Sequence, residues 1–309
     1  MAAPEIVTID CDYIHPRFAA AYLRVAGDEA AFIETNTALA APRLLAALGD
    51  RGLRPEQVRW VIVTHVHLDH AGGAGAIMRA CPNATLLAHP RAARHLIDPS
   101  KLVQSATQVY GAERFAALYG TIEPVPADRV RALDDGAEIE IAGEKLHFIH
   151  VRGHANHHFA VHDPAASAVF TGDAFGLVYP ALQRPGPFAF PSTSPTDFDA
   201  AEARKAIDRI AGLGVRSAYL THYGEVQAIA PVTAQLHEWI DLSEAALLEA
   251  AAGNLSREAM EKAIEAKLWA AFEQRIALTP EDREMLRLDV DLNAQGLAWT
   301  ASKRREGKA

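Results

Sequence analysis

The hydrophobic rhythm of the chain changes several times in its first half. Glu29 to Thr35 (EAAFIET) reads as a strand, and Ala41 to Leu48 as a helix with Gly49 as its stop. Val58 to Thr64 (VRWVIVT) is a β-branched run bounded by polar residues, which predicts a buried strand. A helix restarts over Ala71 to Ala80 at Gly72-Gly73, and Thr85 to Ala88 is a short strand after Pro82-Asn83. Further strands are predicted at Glu138 to Ile141, Lys145 to Val151, Phe159 to His162, Ala168 to Thr171 and Ser217 to Thr221. Alternation over Lys145 to Val151 puts Leu146, Phe148 and His150 on one face and His147, Ile149 and Val151 on the other.

Near residue 230 the period changes to a helical one. Val232, Leu236, Trp239, Ile240 and Leu247 form one stripe, and Met260, Ile264, Leu268 and Phe272 a second, with Gly253-Asn254 between them. Thr279-Pro280-Glu281 supplies an N-cap, a first-turn proline and a first-turn acid for a third helix. Ser302 to Ala309 carries four cations and no apolar anchor, so a frayed tail is expected; Pro185 to Pro195 is too proline-rich for regular structure. The expected organisation is an α/β body over residues 1–230 and a helical C-terminal extension over 231–309. Packing of its apolar stripes onto the body is the ordinary use, and a homodimer interface or a lid the alternatives.

The chain has 309 residues and a net charge of −9, from 30 Lys+Arg against 39 Asp+Glu. Nucleic-acid binding calls for clustered basic residues, so no nucleic-acid partner is expected. Two cysteines, Cys11 and Cys81, exclude a disulfide framework and fit a reducing compartment. The first residues show no signal-peptide pattern, and no apolar run is long enough to span a bilayer. A cytoplasmic protein without a membrane partner is the expectation.

The 14 histidines change the picture. Directly after the Val58 to Thr64 strand comes Thr64-His65-Val66-His67-Leu68-Asp69-His70-Ala71-Gly72-Gly73. His65 and His67, two apart in extended chain, project to one side; Asp69 and His70 continue into the turn, where they can face a second position. The glycines allow a tight turn and a close backbone approach. Imidazole nitrogens with a carboxylate oxygen are the donor set that Zn²⁺ accepts.

These residues resemble the H-x-H-x-D-H signature of the metallo-β-lactamase superfamily. Gly153-His154-Ala155-Asn156-His157-His158 is similar to the family's second histidine stretch, with His157 in place of the usual glycine. Thr171-Gly172-Asp173 matches its strand-end aspartate, and Tyr219-Leu220-Thr221-His222-Tyr223-Gly224 its last histidine. The early strand keeps an acid, in Ile33-Glu34-Thr35-Asn36, without the glycine that often follows it. The resemblance runs from about residue 20 to about 225. It implies an α+β sandwich of αββα type in the body. It also implies two divalent metal ions, zinc in the first place and iron or manganese as alternatives. Metal 1 would be held by His65, His67 and His154, and metal 2 by Asp69, His70 and His222, with Asp173 bridging. His158 has no ligand role in that pattern.

The chemistry so implied is hydrolysis of a small-molecule ester, thioester or lactone by a metal-bridging hydroxide, with Asp69 orienting the nucleophile as catalytic residue. No Ser in a G-x-S-x-G elbow competes for that role. The arrangement resembles glyoxalase II, yet its glutathione-binding pattern is not matched: Leu182 stands where a lysine is expected and Gly224 where a tyrosine is. Phe175, Tyr179, Phe188 and Phe190 are candidate walls of an apolar pocket or simply loop packing. The alternative activity is a mononuclear iron dioxygenase of the persulfide type, which would leave Asp69, His70 and His222 without a metal. A non-catalytic binding module would normally lack a ligand. His67, where oxygen-reducing diiron relatives carry an acid, favours the hydrolase.

Overall fold

The computed structural model describes residues 3–193 and 198–307. Residues 194 and 195 of the proline-rich loop, and 308 and 309 of the expected tail, lie outside that range. By the contacts of the chain the described residues fall into two units. The first comprises 3–150, 157–172 and 213–227, and the second 151–156, 173–193, 198–212 and 228–307.

The first unit holds two six-stranded sheets. One contains β1 (Glu5–Asp10), β2 (Ala20–Ala26), β3 (Glu29–Ile33), β4 (Val58–Ile62), β5 (Thr85–Ala88) and β6 (Val130–Ala132), in that spatial order. The other contains β7 (Glu138–Ile141), β8 (Glu144–His150), β9 (Phe159–Asp163), β10 (Ala168–Gly172), β11 (Ser217–Leu220) and β12 (Gly224–Val226). From β1 to β3 neighbours are antiparallel, and from β3 to β6 they are parallel. Parallel neighbours require crossovers. α1 (Ala41–Gly49) makes the first; α2 (Leu68–Ala71) and α3 (Ala74–Ala80) make the second. The third is α4 (Pro90–Ile97), α5 (Ser100–Tyr110) and α6 (Ala112–Tyr119).

The predicted strands at Glu29, Val58, Thr85, Glu138, Lys145, Phe159, Ala168 and Ser217 are all present, within a residue or two at their ends. The helix expected over Ala71 to Ala80 is interrupted: α2 begins at Leu68, and α3 restarts at Ala74 after Gly72-Gly73. A Cβ on Gly73 would lie 2.5 Å from the Thr35 carbonyl oxygen, so the neighbouring loop passes where a side chain would be. β1, β2, β6, β12, α4 to α6 and the helix Ala200–Ala211 have no predicted counterpart. α5 shows why, because it has no fully buried residue among its described side chains and so no strong apolar stripe.

Apolar residues between the sheets are Tyr22, Ile33, Trp60 and Ile62 from one and Ile139, Leu146, Phe148, Val161 and Phe170 from the other. The opposite face of the first sheet buries Leu23, Phe32, Val61 and Leu86 against Leu44, Ile77 and Leu96 of α1, α3 and α4. Between the sheets, on the same face of β2 as Tyr22, Arg24 is fully buried and pairs with Asp163 at 2.6 Å and with Glu144 at 2.5 Å.

The second unit contains α7 (Ala200–Ala211), α8 (Ile229–Ala252), α9 (Arg257–Arg275) and α10 (Pro280–Arg305). Both predicted stripes are buried, and they meet where Trp239 of α8 packs on Phe272 of α9 with ring centres 4.7 Å apart. Thr279 caps α10, its side chain accepting from the Asp282 amide while Asp282 accepts from the Thr279 amide. The expected frayed tail is corrected in its first part, because α10 stays helical through Arg305. Lys303, Arg304 and Arg305 occupy the last turn, where cations complement the helix dipole, and Arg305 donates to the Leu255 carbonyl at 2.7 Å. Among the described residues no helix is long and apolar enough to cross a membrane.

Candidate metal centre

β4 ends at Ile62, Thr64 and His65 form a bend, and His67 is the N-cap of α2. His65 and His70 are fully buried, while His67 and Asp69 are partly exposed. The ring of His65 lies 4.4 Å from that of His67 and 4.0 Å from that of His70. A bend at Thr64 and His65 followed by a helical turn, rather than continued strand, brings successive ligands to face one place.

Three donor atoms converge beside that turn. Asp69 Oδ2 lies 3.3 Å from His222 Nε2 and 3.8 Å from His70 Nε2. The ligand atoms of Asp69, His70 and His222 all lie within 4.8 Å of one another. The far nitrogen of each imidazole is fixed. His222 Nδ1 lies 2.9 Å from the Phe18 carbonyl, to which it must donate, and His70 Nδ1 lies 3.1 Å from Glu34 Oε1. A proton held at Nδ1 leaves the Nε2 lone pair for a ligand, and this arrangement orients metal-binding histidines. Two imidazoles and a carboxylate so arranged fit a divalent metal ion.

Glu34, His65 and His70 also lie close enough to form a donor cluster. The carboxylate of Glu34 is already engaged by protein donors: Thr64 Oγ1, the Thr64 amide at 3.3 Å, Thr221 Oγ1 at 3.3 Å and the His70 ring. It is 1% exposed and acts as a bracket that fixes His70, Thr64 and Thr221 together. Its backbone has φ +65°, a left-handed conformation unusual for a glutamate.

The neighbouring loop supports the turn from behind. Asn36 Nδ2 donates to the Asp69 carbonyl at 2.9 Å, the Thr35 amide to the His70 carbonyl at 2.9 Å, and the Gly73 amide to the Asn36 carbonyl at 2.8 Å. His158 stacks on His65 with ring centres 4.7 Å apart. A Cβ on Gly172 would meet His158 Nε2 and Thr64 Oγ1 at 2.5 Å each, so that glycine is a packing requirement. His157, the departure from the family stretch, lies near both His65 and His67, at 6.1 Å and 5.7 Å between ring centres. On the His222 side an aromatic line runs from Phe18 to Tyr13 to Tyr119. Burial, and then the charge of Asp69, pushes the Tyr13 hydroxyl well above its usual range.

Two of the seven expected ligands belong to the second unit. His154 Nε2 lies 3.5 Å from Asp173 Oδ2, and both side chains are nearly buried. His154 Nδ1 lies 3.2 Å from the Ser192 carbonyl, again leaving Nε2 as the liganding nitrogen. Gly153, at φ +112°, passes so close to α7 that a Cβ would stand 2.3 Å from the Ala203 amide nitrogen. The first unit thus assembles His65, His67, Asp69, His70 and His222, and the second pairs His154 with Asp173.

Two expectations of lesser weight are decided by burial. Phe175, Tyr179, Phe188 and Phe190 are core residues of the second unit, and Phe190 packs on Phe272 at 5.0 Å; packing, not a pocket wall, is their role. The two cysteines are buried, and burial pushes the Cys11 and Cys81 thiols up to about 12 and about 11, which leaves them inert as nucleophiles. The residues missed by sequence reasoning as site members are Glu34, Asn36, Thr64, Thr221 and Phe18. Only Glu34 carried a signal, an acid at the end of an apolar strand.

Comparison with known proteins agrees with this geometry. The family model described as the metallo-beta-lactamase superfamily matches residues 16–222. A hydroxyacylglutathione hydrolase of Roseobacter denitrificans is 30% identical over 174 residues, covering 55% of this chain and 51% of the relative. The metallo-beta-lactamase fold-containing protein ST1585 of Sulfurisphaera tokodaii is 27% identical over 128 residues, 40% of this chain and 47% of the relative. These matches span about half the length of the curated relatives. Among solved structures, ST1585 from Sulfolobus tokodaii superposes with TM-score 0.64 at 19% identity, covering 94% of this chain and 97% of its own. TTHA1429, a metallo-beta-lactamase family protein from Thermus thermophilus, gives 0.66 at 20% identity, covering 99% and 95%. These likenesses carry the fold: two mixed six-stranded sheets with flanking helices and a C-terminal helical region. With more than half of its length matched, and with the histidine-rich turn in place at the end of β4, the chain belongs to the metallo-β-lactamase superfamily.

Proposed function

We propose that this protein is a dinuclear metal-dependent hydrolase of a small ester, thioester or lactone. In this reading His65, His67 and His154 hold one zinc ion, Asp69, His70 and His222 hold a second, and Asp173 serves both. The observation that carries it is the convergence of Asp69 Oδ2 with the Nε2 atoms of His70 and His222, both imidazoles being fixed through Nδ1. A second metal position with its own orienting partners favours the hydrolase over the mononuclear dioxygenase, which has no use for it.

Bound divalent ions supply Lewis acidity and lower the pKa of water from about 15.7 to about 7. The protein's part is orientation. Asp69 offers one carboxylate oxygen to the metal position and the other to orient the attacking water. Glu34 and the Phe18 carbonyl hold the protons of His70 and His222 away from the site. His158 and Thr64 pack His65 into one rotamer.

The relatives named hydroxyacylglutathione hydrolase support thioester chemistry. The residues for glutathione itself are missing here: Leu182 is fully buried, and Gly224 has no side chain to offer. The substrate in this reading is a small acyl ester or thioester whose leaving alcohol or thiol is not glutathione. The test is metal analysis of purified protein together with a panel of short acyl thioesters, aryl esters, lactones, β-lactams and phosphodiesters. Two equivalents of metal with turnover in the first three classes are expected. Less than one equivalent, unrestored by added metal, would overturn the proposal. So would a single iron with oxygen uptake on a persulfide.

A further inference from the structure

The second unit contains a chain of hydrogen bonds that starts on α10 and ends on His154. Asn293, 7% exposed, accepts from the Thr193 amide through Oδ1 at 2.6 Å and donates through Nδ2 to the Pro191 carbonyl at 3.0 Å. Its own carbonyl accepts from Thr193 Oγ1 at 3.2 Å. A backbone amide on one side and a carbonyl on the other leave the side-chain amide only one orientation. Pro191 and Thr193 flank Ser192, and the Ser192 carbonyl is the group that lies 3.2 Å from His154 Nδ1.

We infer that Asn293 is a positioning residue for His154: it clamps the backbone around Ser192 so that the Ser192 carbonyl holds the Nδ1 proton and Nε2 remains the liganding atom. The inference rests on reading His154 as a metal ligand and goes beyond it, because it gives the last helix a part in metal retention. An irregular segment has no ladder to fix its carbonyls, and Ser192 lies in such a segment. Without the clamp the carbonyl can turn, Nδ1 loses its acceptor, and the imidazole can change tautomer or rotamer. The other fixed point of the histidine, Gly153, is tied separately: its carbonyl accepts from the Asp199 amide at 3.0 Å. The loss of Asn293 therefore loosens the ring while leaving the backbone of its neighbour anchored.

The experiment uses full-length protein reconstituted with Zn²⁺ and follows zinc release to a chelator, alongside thermal unfolding. Asn293→Ala is expected to speed release of one zinc equivalent about 10-fold, the lower end of the effect of removing an orienting partner. His154→Ala should abolish that same equivalent. Thr193→Val, which removes a single bond of the clamp, should give a smaller acceleration and serves if Asn293→Ala does not fold. Asp282→Ala is the structural control. It breaks the pairing of α10 with Arg184 and one of the two bonds of the helix cap while leaving the Asn293 bonds intact. It should lower the melting temperature without changing release. Release at the wild-type rate in Asn293→Ala, or in Thr193→Val where the former does not fold, would overturn the inference. Equal acceleration by Asp282→Ala would do the same. Retention of both equivalents by His154→Ala would instead overturn the ligand assignment on which it rests.

Discussion

Replacing Glu34 by alanine is the most revealing perturbation of the first unit, because four donors depend on one buried carboxylate. The hydroxyls of Thr64 and Thr221 can rotate to other acceptors. The Thr64 amide and His70 Nδ1 are fixed by backbone and ring, and they would be stranded in a buried site. Two stranded donors at about 1–3 kcal/mol each predict a loss of about 2–6 kcal/mol, against a typical total stability of about 5–15 kcal/mol. The backbone supplies an internal check. Alanine keeps the left-handed φ of +65°, whereas glycine adopts it freely, so Glu34→Gly should be less destabilised than Glu34→Ala by about 1–2 kcal/mol. Urea unfolding of the metal-free protein reads both differences. Metal titration of the folded variants should show affinity weaker by about 10–100-fold, because His70 loses the partner that fixes its tautomer. An alanine variant within about 0.5 kcal/mol of the wild type and with unchanged metal affinity would refute the bracket, since such a result is ordinary for a surface substitution.

Three further outcomes are expected. The His89 ring is pushed down to about 4, first by burial and then by His150 and His157. The unfolded chain binds more protons between pH about 6.5 and about 4, so stability is full above that window and falls as pH is lowered through it. Denaturant midpoints against pH should show this slope and a flatter one in His89→Asn, a substitution that keeps a cap for the Arg91 amide. Gly153→Ala should lose about 2–5 kcal/mol by thermal or urea unfolding, from a forbidden φ of +112° and a Cβ placed against the Ala203 backbone. Arg24→Met leaves the buried Asp163 carboxylate uncompensated and should cost about 3–5 kcal/mol; Arg24→Met with Asp163→Leu should recover part of that in the same unfolding assay.

Much of the candidate site was legible because its signals are local. His65, His67, Asp69 and His70 lie within six residues, in one bend and the helical turn after it, so short-range geometry brings them together. His154, Asp173 and His222 follow strands predicted at Lys145, Ala168 and Ser217, and the resemblance supplied their order. The helices of the C-terminal region were legible for the same reason, since a stripe such as Val232, Leu236, Trp239 and Ile240 specifies its own buried face. What tertiary structure alone decided are the partners of these residues. The sequence marks Glu34 only as an acid at the end of an apolar strand; its role as a bracket comes from Thr64, His70 and Thr221 folded around it. Asn293 looks like a weak helix former on a polar face, and its meaning comes from a segment 100 residues earlier in the chain. The basic end of α10, unanchored as sequence, is held by the helix dipole and by the Leu255 carbonyl. Ligand types and their local spacing are properties of the chain. The tautomer and orientation that make an imidazole a ligand are set by hydrogen bonds between distant segments, which exist only once the chain has folded.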